Sequence, residues 1–172
     1  MSKKIEINGL HNKYMMKKYV IKEKQETKNT KYFFTDCYNY KYQKELLHKI
    51  YLNEIIEQGE ILKKELERKI YGYLNQDKKR ERYNENLFIS LNELIEKLVE
   101  SQMKCYYCKS EVLLLYENIR DPSQWTLERL NNNIQHQLNN IEICCFKCNI
   151  QRKNQNHDNF KMGKQMKIIK LN

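Results

Sequence analysis

The apolar positions of the chain change period along its length. Between residues 42 and 75 there is no proline, and Leu47, Ile50, Tyr51, Ile55, Leu62, Leu66, Ile70 and Tyr73 recur at spacings of three, four and seven. Such spacing puts one apolar stripe on a helix. It predicts a long amphipathic helix, or two helices broken near Gly59. Glu60 with Lys64, and Glu65 with Lys69, are i,i+4 pairs in the supportive orientation. The stripe needs a cover, either the next helix or a second copy of the chain, and a homodimer through this region follows from the latter. The polar run 75–82 is predicted to lead out of the helix. Ser90-Leu91-Asn92-Glu93 then spells a capping box, which starts a helix to about Ser101 with Leu91, Leu94, Ile95, Leu98 and Val99 on one side. From Trp125 the elements become short. Residues 125–130 and 140–144 read as strands joined by a polar loop, and 145–153 as a short helix exposing Lys147, Arg152 and Lys153.

The predicted fold class is therefore α+β and mostly helical. A helical region (32–101) precedes a hairpin–helix unit within 102–172. Residues 1–31 show no convincing period and read as an arm, with a short helix near 13–22. The segment 32–40 is aromatic and is expected to pack on the following helix. Trp125 is expected in the core.

Charge adds a partner class. The 172 residues carry 32 Lys+Arg against 22 Asp+Glu, a formal +10. The arm holds nine Lys and three Glu, whereas 32–100 holds 12 basic and 13 acidic residues. From residue 143 onward there are seven basic residues against Asp158 alone, with Lys161, Lys164, Lys167 and Lys170 at intervals of three. Basic ends around a neutral middle point to a polyanion, first of all DNA, though they would serve RNA equally well. The longest aliphatic run, 112–115, is too short to span a bilayer, and Met1-Ser2-Lys3-Lys4 begins no secretory signal. An intracellular protein, cytoplasmic or nuclear, is expected, with reduced cysteines.

Those cysteines are the most specific signal. Cys105-Tyr106-Tyr107-Cys108 and Cys145-Phe146-Lys147-Cys148 are two Cys-x-x-Cys pairs at a separation that can close one tetrahedral zinc site. Cys144 is the poorer substitute for Cys145. Four sulfur ligands leave no open position, so the metal is expected to be a staple. Chemistry would come from what it brackets.

The bracketed residues resemble the HNH endonuclease family, closest to zinc-stapled members such as the phage endonuclease VII group. They also resemble a variant, found in large DNA viruses, with a Leu-Asp-Arg-Ile-Asp-Asn…Gly-His…Asn hairpin. The resemblance covers 105–153. It implies a zinc-stapled ββα-metal unit and a DNA endonuclease or nickase. Glu128 matches the acidic ligand of a catalytic Mg²⁺ or Mn²⁺, although the family usually has Asp. Asn149 matches the second ligand of that cation, and Asn140 the asparagine that ties the hairpin loop to its own backbone. At the family's general-base histidine this chain has Arg129, which cannot deprotonate water near neutral pH. His136 matches the variant's Gly-His pair, with Gln135 in place of the glycine, and is the candidate base. Its alternative is an exposed loop residue or a DNA contact. Arg129 would then face the scissile phosphate, and Lys147, Arg152 and Lys153 would contact the backbone. The alternative function is a zinc-stapled DNA- or RNA-binding protein that keeps the scaffold without cleavage.

Overall fold

The computed structural model describes residues 36–166, together with Gly9, Leu10 and Asn12. The rest of the basic arm, residues 32–35, and Lys167 and Lys170 lie outside the described residues. Asn39 opens the first helix, α1 (Tyr40–Tyr51), by accepting the backbone N–H groups of Lys41 and Tyr42. Asn53, at positive φ, lies in the break that follows. The second helix, α2, runs Glu57–Lys79. The stripe thus divides between two helices, as one of the two expectations had it, but the break precedes Gly59 and leaves Ile55 exposed between them. Gly59 lies inside α2 where a Cβ would meet Ile50 Cγ1 at 3.3 Å, so the missing side chain lets the helices approach there. The polar run after residue 75 does not leave the helix. It extends α2 to Lys79 because Asp77 is drawn inward and fully buried, as described below.

The capping box forms as expected. Ser90 Oγ accepts from Glu93 N at 3.3 Å and Glu93 accepts from Ser90 N at 2.8 Å, starting α3 (Leu91–Glu100). Strands β1 (Trp125–Arg129) and β2 (Ile141–Cys145) form an antiparallel pair in the register Trp125 with Cys145 to Arg129 with Ile141. Helices α4 (Phe146–Arg152) and α5 (His157–Gln165) complete the described residues. The fold is α+β, with five helices and one two-stranded sheet among the described residues.

One apolar core runs from Leu46, Leu47 and Leu62 through Leu94 and Leu98 to Trp125, Leu127 and Ile143. Trp125 is buried as expected. Gln43 of α1 stitches the two regions together. Its amide donates to Cys37 O and Leu115 O and accepts from Leu114 N and Leu115 N, which satisfies a buried polar side chain completely. Lys69 of α2 lies over the Trp125 ring, 4.6 Å from its centroid, and donates to Trp125 O. No helix among the described residues is long and apolar enough to cross a membrane.

Candidate metal centre and polar cleft

The first knuckle is built by the turn after α3. Cys105 N donates to Ser110 O, and Tyr106 N donates to Ile143 O at 2.8 Å, which docks the turn on β2. The second knuckle sits where β2 becomes α4. Cys145 is the N-cap of that helix, and its sulfur accepts from Cys148 N at 3.4 Å. The ligand sulfurs of Cys105, Cys108, Cys145 and Cys148 all lie within 4.8 Å of one another. Four ~2.3 Å zinc–sulfur bonds make a tetrahedron with edges of about 3.8 Å. Cys108 and Cys145 are 3.9 Å apart, so this donor set fits a tetrahedral metal. Hydrogen bonding from the Cys105 thiol, then from Cys144, pulls the Cys145 thiol below its ordinary range. Cys144 is fully buried and donates to Cys145 O; it stands beside the four rather than among them. Tyr106, half-buried, carries Lys161 of α5 on its ring at 3.9 Å.

Period-two alternation puts Thr126 and Glu128 on one face of β1. Residues three apart on a helix share a side, so Asn149 and Arg152 of α4 can meet that face together. They do. Asn149 Nδ2 donates to Thr126 Oγ1 at 3.2 Å, and Arg152 Nε forms an ion pair with Glu128 Oε1. Glu128 is only 4% exposed. Burial raises its carboxyl and Arg152 opposes, with the net result pushed up to about 7. Arg152 was expected on the surface as a phosphate contact, and that expectation is corrected. It is buried, and besides Glu128 it donates to Arg129 O, Leu130 O, Asn132 Oδ1 and Gln155 O. A guanidinium has donors enough to close the end of the hairpin. Lys147 and Lys153 are exposed.

Arg129, the next residue on β1, points the other way. Its Nη1 lies 3.4 Å from Asp77 Oδ1 and from Ile134 O. His136 is on this side too, 2% exposed rather than in open loop. Its Nδ1 is 2.7 Å from Asp77 Oδ2, and its backbone N–H donates to the same oxygen at 2.8 Å. The Tyr73 ring packs against it with centroids 4.6 Å apart. Burial depresses His136 to about 4, against the pull of Asp77, so the imidazole is neutral at pH 7. Its Nε2 has no hydrogen-bond partner among the described residues. The loop that delivers it is tied by Asn140, whose Oδ1 accepts from Asn131 N and whose Nδ2 donates to Asn131 O and Gln135 O.

Glu128, Arg129, His136 and Asn149 all line one cleft of about 560 Å³, with Tyr73, Arg80, Arg82, Thr126 and Lys153 among its other walls. Asp77 and Tyr73 were not singled out from sequence as site residues. A signal for Asp77 did exist: it lies four residues beyond Tyr73 and seven beyond Ile70, an acid where the apolar stripe would place its next member. His157 begins α5, half-buried, with Nδ1 3.3 Å from Asp158. Comparison of the chain with protein-family models, with curated proteins and with solved structures found no significant match.

Proposed function

We propose that this protein is a metal-dependent nuclease of the HNH kind that hydrolyses phosphodiester bonds in DNA. In this reading Cys105, Cys108, Cys145 and Cys148 hold a structural zinc, and the hairpin with α4 is a ββα-metal unit. The observation that carries the reading is the convergence in one cleft of a buried carboxylate (Glu128), a neutral histidine (His136), an amide (Asn149) and the cationic side chains Arg80, Arg82, Arg129 and Lys153.

Each has work in such a reaction. His136 takes the proton of the attacking water at Nε2, since it is unprotonated at neutral pH and its other nitrogen is engaged. The guanidinium and ammonium groups attract the phosphate backbone and stabilise charge on the attacked phosphate. Glu128 and the Asn149 amide oxygen would hold Mg²⁺ or Mn²⁺, because Asn149 uses its nitrogen, not its oxygen, on Thr126. When bound, the cation takes up negative charge on the phosphate and the departing 3′ oxygen. One such site cuts one strand, so a double-strand break needs two copies or two encounters.

The test is conversion of supercoiled plasmid to nicked circles with Mg²⁺ or Mn²⁺. Wild type is expected to nick, and His136→Ala and Glu128→Ala to lose on the order of 10²- to 10⁴-fold in rate. Failure of zinc-loaded wild type to nick with either ion would overturn the reading.

One observation favours a second reading, a nucleic-acid-binding protein that does not cleave. The Glu128 carboxylate is engaged by Arg152 in a buried ion pair, which competes with a cation for it. Plasmid retarded in a gel but never nicked would select this reading.

A further inference from the structure

We infer that Asp77, supplied by α2 from outside the hairpin, is the positioning residue that fixes the tautomer of His136 and leaves Nε2 as the proton-accepting atom. This rests on the nuclease reading and names what aligns its base.

Asp77 is fully buried, so its partners must come from the protein. Four donors converge on it, two per oxygen. Oδ1 takes Arg82 Nε at 3.0 Å and Arg129 Nη1 at 3.4 Å. Oδ2 takes the backbone N–H of His136 at 2.8 Å and its ring Nδ1 at 2.7 Å. An ionised carboxylate only accepts, so Nδ1 must carry the ring hydrogen and Nε2 the lone pair. Both guanidinium groups pair with its other oxygen, which makes Asp77 an orienter rather than a competing base. Ring orientation is fixed from a second side by Tyr73, whose hydroxyl accepts from Leu127 N at 3.0 Å and is thereby anchored to β1. Main chain and ring of His136 are thus held by one carboxylate, and the carbonyl of His136 accepts from Ile89 N at 3.0 Å.

Asp77→Asn keeps the shape and removes half of the acceptors. With its oxygen toward the cations Arg82 and Arg129, the new amide turns its NH₂ toward His136; the backbone N–H there loses its acceptor, and Nδ1 can meet the NH₂ only by accepting. The ring then moves its hydrogen to Nε2 and loses the lone pair at the cleft. ¹⁵N-resolved NMR of the zinc-loaded full chain reads this directly. Wild type is expected to show His136 as the Nδ1–H tautomer, and Asp77→Asn as Nε2–H, with nicking reduced on the order of 10²- to 10⁴-fold and plasmid retardation unchanged. If Asp77→Asn does not fold, the wild-type spectrum alone decides: the Nδ1–H tautomer supports the inference and the Nε2–H form overturns it.

Wild-type His136 in the Nε2–H form overturns the inference. So does a folded Asp77→Asn that keeps Nδ1–H and nicks at the wild-type rate. If wild type does not nick but the tautomer switches on substitution, the nuclease reading falls and Asp77 still stands as the group that sets the tautomer.

Discussion

His136 is the residue on which most of the site's physics meets, and its titration gives a sharp prediction. The groups facing it are Asp77, Arg82, Arg129 and Tyr73, and burial outweighs the carboxylate to leave it at about 4 against an ordinary 6.5. A histidine with a depressed folded-state pKa binds fewer protons folded than unfolded between those values. Its stabilising contribution is therefore complete above pH 6.5 and is lost as pH falls through about 4. His136→Gln removes that dependence. Wild type should lose stability relative to the variant by roughly 3 kcal/mol between pH 7 and pH 4, read from urea midpoints across the range. A difference that does not change with pH would show that His136 titrates normally. The residue itself was legible as a candidate, but its burial was not. Gln135, Gln137 and the surrounding asparagines look like a solvated loop, and only the three-dimensional arrival of Asp77 and Tyr73 makes that loop an interior wall. Arg152 misleads in the same way. Locally it belongs to a polar helix end, yet Glu128 and four other acceptor groups need its donors.

At the scale of elements, what depends on neighbours in sequence was readable and what depends on distant partners was not. The capping box at Ser90, the two strands and the helix after Cys145 follow from local chemistry, and their observed ends differ from the expected ones by about a residue. The continuation of α2 through Asn75–Lys79 could not be read locally, because its polar surface hides one inward acid. The start of α3 matters beyond its own helix. Ile89, next to the cap, donates to His136 O, so fraying there loosens the cleft. Ser90→Ala should cost about 1 kcal/mol in thermal or urea unfolding. Its nicking rate at temperatures well below the transition should stay within a few-fold of wild type, since the Ile89 bond survives in the folded state. A stability change under 0.3 kcal/mol would mean that the cap is dispensable.

At the scale of the molecule, the thiol centre and the helices share a core, and this has a consequence for metal removal. Zinc bound by four thiolates contributes folding free energy that a chelator takes away. Because Leu98, Met103, Cys105, Tyr107 and Cys148 belong to the same buried cluster as Leu47 and Leu62, the loss should not stop at the knuckles. Chelation, or Cys148→Ser, should shift the emission of Trp125 to the red and lower the helical circular dichroism in one transition. Trp125 is the only tryptophan, so the signal is unambiguous. Two well-separated transitions would instead show that α1–α3 stand without the metal. The basic ends that suggested a nucleic-acid partner lie mostly outside the described residues, and the cleft's own Arg80, Arg82, Arg129 and Lys153 now carry that expectation.

The single carboxylate of Asp77 reaches its histidine across 59 positions of chain. A graft of residues 105–153 onto another scaffold would carry the four clustered thiols, Glu128, His136 and Asn149, and would still leave behind the atom that tells the imidazole which nitrogen to keep bare. What looks in the sequence like a portable cassette is therefore native to its own helices, and a transplant would have to bring an acid with it.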